Sequence, residues 1–176
     1  MIQRIRDRLF REDKGFTLIE LMVVVLIIAI LIAIAIPTFL GARKRAQDRA
    51  AQSSLRNTVT AAKTLFTDKE DYSTATQGAL TSTEPSITFN NATTTSTDPT
   101  TVSVDGGTSP SQKFIGAAYS KAGNCWFVRD VAGPGSTTIG GTYWNRIDST
   151  GGAGCSASAA PADSDSNWHK NLSDVT

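Results

Sequence analysis

The chain has 176 residues, 17 Lys plus Arg and 16 Asp plus Glu, giving a formal net charge of +1. That length accommodates one domain plus a membrane segment, and the balanced charge gives no indication of bulk electrostatic binding to nucleic acid. The sequence also contains no phosphate-binding glycine loop, no CxxC and no nucleophile motif, so no catalytic constellation is legible.

Residues 1–15 hold Arg4, Arg6, Arg8, Arg11 and Lys14 against Asp7, Glu12 and Asp13, a basic leader. Between Phe16 and Ile36 the only polar residues are Thr17 and Glu20, and every residue from Leu21 to Ile36 is apolar. As a helix this stretch rises about 32 Å at 1.5 Å per residue, matching a hydrocarbon core of about 30 Å. Core helices are seldom apolar all round over such a length. A secretory signal would place a small-residue cleavage site after a shorter apolar run, and Ile36-Pro37-Thr38-Phe39-Leu40 offers none. The small residue at a charged-to-apolar boundary is Gly15, ahead of the run. A cut there removes the leader and keeps the helix.

Glu20 stands at the head of this apolar run. A charge at the centre of a membrane helix costs about 2.5–3.5 kcal/mol, and such residues are usually functional. Two readings are open from position alone: the carboxylate snorkels to the interface, or it serves assembly. Four basic residues (Arg43, Lys44, Arg45 and Arg49) follow the run and five precede it, so the positive-inside rule hardly decides orientation. The Cys, Ser and Thr usage downstream suits an exported domain and places the leader inside.

Pro37 ends the apolar run and is expected to kink or interrupt the helix, either as a boundary marker or as a hinge. The helix is expected to resume and reach about Asp68. Phe39, Ala42, Ala46, Ala50, Leu55, Val59, Ala62 and Phe66 recur along it as one mostly apolar stripe. Arg43, Lys44, Arg45 and Arg49 fit either contact with lipid phosphates or simple solvation of the stem. DNA binding is the weaker reading, since no aromatic residues interleave with them.

Residues 73–112 change character: 19 of these 40 are Ser or Thr, with Pro85, Pro99, Pro110 and Gly106-Gly107 among them. They predict a long exposed connection with short strands near Ile87–Phe89 and Thr101–Val104. Asn91-Ala92-Thr93 and Asn171-Leu172-Ser173 fit the N-glycosylation tripeptide, a weak signal. Three strands are expected at Lys113–Ser120, Asn124–Val131 and Ile139–Ile147. Lys121-Ala122-Gly123 forms a hairpin-length turn between the first two, and Gly133-Pro134-Gly135 forms the break before the third. An antiparallel sheet on the upper helix is the economical architecture, with Trp126, Trp144 and Trp168 packing on it.

Cys125 and Cys155 read as a disulfide in an exported domain and otherwise as two reduced thiols. A bridge would tether the Gly/Ser/Ala-rich tail to the middle strand and stabilise by about 3–4 kcal/mol. Asp163-Ser164-Asp165-Ser166-Asn167 places oxygen ligands at alternate positions, like the start of a calcium loop. Trp168 stands where that loop needs glycine, and no glutamate closes it. Calcium on Asp163 and Asp165 is therefore the weak candidate among cofactors, and the sequence indicates no other. His169 reads as a solvated surface residue.

Gly15-Phe16-Thr17-Leu18-Ile19-Glu20-Leu21, followed by a spanning run, resembles the N-terminal motif of type IV prepilins and their relatives. The likeness covers residues 10–65 by motif and the remainder by architecture. It implies an α+β fold of the type IV pilin kind, a long N-terminal helix with a membrane-spanning half and an amphipathic half, packed on a C-terminal antiparallel sheet. The expected parts are a leader at 1–15, a membrane or filament-core helix at 16–36, a stem at 37–70, a connecting loop at 71–112 and a disulfide-tied head at 113–176. By the same likeness a prepilin peptidase cuts between Gly15 and Phe16 and methylates Phe16. Glu20 then pairs with the amino terminus of a neighbouring subunit, and Pro37 bends on packing. The implied product is a structural subunit, not an enzyme. It is held in the cytoplasmic membrane with its N-terminus inside and in contact with lipid, then polymerised with like subunits by an assembly platform and ATPase into an extracellular filament. The alternative is a pseudopilin of a type II secretion or competence machine.

Overall fold

The computed structural model of the protein describes residues 15–133, 139–164 and 166–175. The basic leader from Arg4 to Lys14, the expected break at Pro134-Gly135, and Asp165 lie outside the described residues. The chain forms two compact units, Met1–Gly41 and Ala42–Thr176, and helix α1, Leu18–Lys69, contributes to both.

In the first unit Thr17 starts the helix. Its Oγ1 accepts the Glu20 N–H at 3.2 Å, and its hydroxyl lies 3.5 Å from Glu20 Oε2. This is the geometry of an N-cap residue, whose side-chain oxygen satisfies one of the amides that a helix start leaves without partners. The helix is continuous through Pro37, so the interruption expected there is absent. Proline removes one donor and leaves the remaining ladder available, and the neighbouring Thr38 hydroxyl donates to the Ile34 carbonyl at 3.1 Å.

In the second unit the same helix lies on a five-stranded sheet. Helix α2 is Gln77–Thr83, and the strands are β1 Thr88–Asn90, β2 Thr101–Asp105, β3 Lys113–Ser120, β4 Asn124–Val131 and β5 Gly141–Asp148. They lie in chain order across the sheet. Only β1 and β2 are parallel; β2 to β5 are antiparallel neighbours. The buried face of α1 is Ala51, Ser54, Leu55, Thr58, Val59, Ala61 and Ala62. The expected stripe is correct from Leu55 onward, but Phe39, Ala42, Ala46 and Ala50 are exposed. Burial begins at Ala51, one position further round the helix.

The close approach of helix and sheet rests on Gly116 of β3. A Cβ there would lie 3.1 Å from Val128 Cγ1 and 3.3 Å from Leu55 Cδ2. Leu55 is fully buried, a contribution of about 1.5–3 kcal/mol for a side chain of its size. One core cluster joins α1 to the sheet face bearing Val104, Phe114, Ala118, Trp126, Val128 and Trp144. The opposite face carries a second cluster, in which Ala117, Cys125, Phe127 and Tyr143 meet Cys155 and Trp168 of the C-terminal segment. Being covered on both faces, β4 is buried at every position after Asn124. Cys125 and Cys155 are bridged.

The Ser/Thr-rich segment is less of a loop than its composition implies. It contributes α2, β1 and β2 and buries Leu80, Ile87, Phe89, Val102 and Val104. Its hydroxyls work inside the fold. Ser96 Oγ donates to the Thr101 carbonyl and accepts the Tyr119 N–H, while Ser103 Oγ donates to the Asn91 carbonyl and accepts the Ala157 N–H.

Candidate assembly site

Phe16, Thr17 and Glu20 stand together at the start of α1, and all three are exposed. From Leu18 to Leu40 no residue has a covering partner within the described chain. Val24, the least exposed of the large apolar residues there, is still 44 % accessible. The span has a mean hydropathy of 3.3 over its best window and is the one helix among the described residues long and apolar enough to cross a membrane. Monomeric proteins seldom expose apolar patches beyond a few hundred Å², so this surface requires lipid or other copies around it. The Thr17-Leu18-Ile19-Glu20 spacing is also a helix-start signature, and Thr17 acts as the cap, a role the sequence reading missed although the pattern was present.

In the head, three polar clusters hold the elements in place. Asp48 of α1 accepts two hydrogen bonds from Asn124 Nδ2, at 3.0 and 3.1 Å, and one from Trp126 Nε1 at 3.1 Å, fixing the lower stem to β4. Further up, Asp130 meets Lys63 at 2.9 Å and accepts hydrogen bonds from Tyr72 and Thr142. Burial, then the hydrogen bond to Asp130, pushes the Tyr72 phenol up. Asp71 accepts from the Ser109 hydroxyl and from the Ser111 and Ser73 amides. Those donors, Ser109 foremost, hold its carboxyl well below the usual range.

Asp163, one of the two residues of the calcium candidate, lies 3.0 Å from Arg129 Nη1 and 3.1 Å from Lys113 Nζ. Partial desolvation raises its carboxyl, but Lys113 and then Arg129 outweigh that and leave it lowered. Two side-chain cations thus occupy the carboxylate. Among the described residues no group of three metal-ligating side chains converges. Arg129 is 2 % exposed and lies between two rings, 5.0 Å from Tyr143 and 4.4 Å from Trp168. Charge at Arg129 and Asp130 inside an otherwise apolar strand was the sequence signal for both clusters. His169 enters through its backbone, exchanging two hydrogen bonds with Trp144 at 2.8 and 2.9 Å.

Residues 10–36 match a family model described as the prokaryotic N-terminal methylation motif. The chain is 49% identical over 61 residues to the type IV major pilin protein PilA of Myxococcus xanthus, a match covering 35% of this chain and 28% of that protein. It is 40% identical over 70 residues to the type IV wide pilus major component PilA4 of Thermus thermophilus, covering 40% of this chain and 53% of that one. Through this region the chain is similar to type IV pilins. The matches span about a quarter and about half of the two relatives' own lengths, and no solved structure matches the chain. The long helix on a mostly antiparallel sheet is the α+β architecture of a type IV pilin-like fold.

Proposed function

We propose that this chain is the structural subunit of a type IV pilus. It enters the cytoplasmic membrane as a precursor with its leader inside and its head outside. A prepilin peptidase cuts between Gly15 and Phe16 and methylates the new amino group. An assembly platform driven by an ATPase then transfers the helix from lipid to a helical array of like subunits. The observation that carries this reading is the uncovered apolar surface from Leu18 to Leu40, joined to a motif placed at its start. The relatives' own names, a major pilin and a wide pilus major component, support a pilus over a secretion piston.

Within that reading the Glu20 charge, at the helix start that Thr17 caps, offsets the positive amino group of Phe16 from a neighbouring copy. A lone carboxylate in an apolar medium is costly unless paired or neutralised, so addition of a subunit relieves both groups at once. Pro37 acts as the hinge: α1 already lacks the hydrogen bond that proline cannot donate, which makes this the cheapest point to open on packing.

Electron microscopy of filaments sheared from cells, labelled with an antibody to the head, tests the reading. Labelled filaments that vanish when the chain is deleted support it. Bare filaments, with the chain confined to the membrane, would sink it.

A further inference from the structure

The stem and the segment that follows it carry opposite charge. Residues 42–63 hold Arg43, Lys44, Arg45, Arg49, Arg56 and Lys63 against Asp48 alone, a net +5. Residues 64–112 hold Lys69 against Asp68, Glu70, Asp71, Glu84, Asp98 and Asp105, a net −5, while residues 113–176 balance five basic against five acidic groups. The stem charge is also ordered. Arg45, Arg49, Arg56 and Lys63 follow at spacings of four, seven and seven residues, which places them on one face of α1 over about 27 Å.

Two arginines of this region are held in place without a carboxylate. The Arg56 guanidinium lies 6.0 Å from the Trp144 ring, and Arg146 of β5 lies 5.8 Å from Trp126. Cation–π placement of this kind orients a guanidinium while leaving its donors free for an anion. Among the described residues none of Arg43, Lys44, Arg45, Arg49, Arg56 or Arg146 makes an ion pair. Asp48, the one acid among residues 42–63, is engaged by Asn124 and Trp126. Lys63, by contrast, is committed to Asp130.

From this charge division we infer that the basic face of the stem, centred on Arg45, Arg49 and Arg56, is a docking surface for the acidic segment 64–112 of a second copy of this chain. The inference rests on the pilus reading. Copies gathered through their apolar helices bring their stems close, because the basic face begins within a few residues of the apolar run on the same helix. Residues 42–63 packed level with one another would set net +5 beside net +5. A neighbour displaced along the axis instead sets them beside a segment of net −5, and the two charges cancel. Exposed Asp68 and Glu70 are in no ion pair among the described residues and are available to such a neighbour. Charge complementarity of this kind selects register and rejects wrong pairings more than it adds affinity.

The test begins with wild-type filaments, assembled from a mixture of light and nitrogen-15-labelled copies and treated with a carbodiimide that joins amines to carboxylates in contact. In parallel, Arg45→Glu/Arg49→Glu and Arg45→Lys/Arg49→Lys are compared with wild type for filament yield and for membrane-inserted precursor. The expected result is intermolecular links from Lys44 to acids within residues 64–112. In the Arg45→Lys/Arg49→Lys filaments, the amines introduced at positions 45 and 49 form such links as well. These links are absent from detergent-dispersed subunits. The Arg45→Glu/Arg49→Glu variant inserts normally but loses filament yield by about tenfold or more, and the Arg45→Lys/Arg49→Lys variant assembles. Wild-type yield from the charge-reversed variant, or filaments with no links from the stem to acids of residues 64–112, would overturn the surface. Wild-type yield with lost binding to duplex DNA or to phosphatidylglycerol vesicles would assign the stem to that polyanion instead. If the wild-type chain enters no filament, the pilus reading itself fails, and this is seen before any substitution is made.

Discussion

Arg129 Nη1 donates to Asp163 Oδ1 at 3.0 Å, joining a fully buried cation on β4 to a carboxylate that is 36% exposed. The contact closes the C-terminal segment over the sheet face opposite α1, where the disulfide and Trp168 also lie. Removing the partner of a buried charge is destabilising, and the exposure of Asp163 moderates the loss. Asp163→Asn is therefore expected to cost about 1–2 kcal/mol, measured by thermal unfolding of the detergent-solubilised chain. Calcium is expected to leave the midpoint unchanged, because the carboxylate already has two cations.

Acid should weaken the head. The Asp71, Asp98 and Asp163 carboxyls are all lowered in the folded chain: Asp71 by the Ser109 hydroxyl first, Asp98 by the Thr100 hydroxyl first, and Asp163 by Lys113 and Arg129 against an opposing desolvation. A lowered carboxyl contributes stability that is present above its unfolded value of about 3.9 and lost as the pH falls through its folded value. Unfolding midpoints should hold level from about pH 7 to pH 5 on account of these groups and drop below about pH 4. Asp163→Asn should make that drop shallower.

Gly116→Val tests the approach of α1 to the sheet. The added side chain meets Val128 and Leu55 at contacts already tight for a Cβ. Overpacking of this kind costs about 1–3 kcal/mol. Urea denaturation followed by tryptophan fluorescence reads it, since Trp126 and Trp144 line the same cluster.

The disulfide carries a larger share. Cys125 and Cys155 are both fully buried, and their loop of 30 residues places the expected stabilisation at about 3–4 kcal/mol. The Cys125→Ala/Cys155→Ala chain should unfold correspondingly earlier. Thiol labelling of the wild-type chain after brief treatment with reductant should stay low until the chain is unfolded.

Much of the head was legible because strand signals there are local. Lys113–Ser120 and Asn124–Val131 are bounded by a three-residue turn and coincide with β3 and β4, and Ile139–Ile147 overlaps β5, Gly141–Asp148. The stem was legible only in part. Alanine is equally at home exposed or buried, so Ala42, Ala46 and Ala50 could not mark the buried face that Ala51 and Leu55 define. In the Ser/Thr-rich segment the strands expected near Ile87–Phe89 and Thr101–Val104 overlap β1 and β2, but hydroxyls that composition assigns to solvent, at Ser96 and Ser103, satisfy backbone groups inside the fold. At the helix start, Glu20 was read for its charge, whereas its backbone N–H, three residues after Thr17, is also the amide that Thr17 caps.

The Thr17 cap uses the Glu20 backbone and survives substitution of its side chain. Glu20→Gln removes the charge and keeps the side chain's size; Glu20→Ala removes both. On the proposed reading both variants are expected to insert and be cleaved, and both to lose filaments. Filament counts beside a peptidase-cleavage blot read this directly, and normal filaments from Glu20→Gln would take the Glu20 charge out of assembly.

The central claim is that this chain is processed at Gly15-Phe16 and built into a pilus. Intact-mass and N-terminal peptide spectrometry of subunits from sheared, purified filaments tests it most directly. The account predicts a chain beginning at N-methylated Phe16, with Cys125 and Cys155 bridged. Purified filaments that lack this chain, or that contain it with the leader before Gly15 still attached, would contradict it.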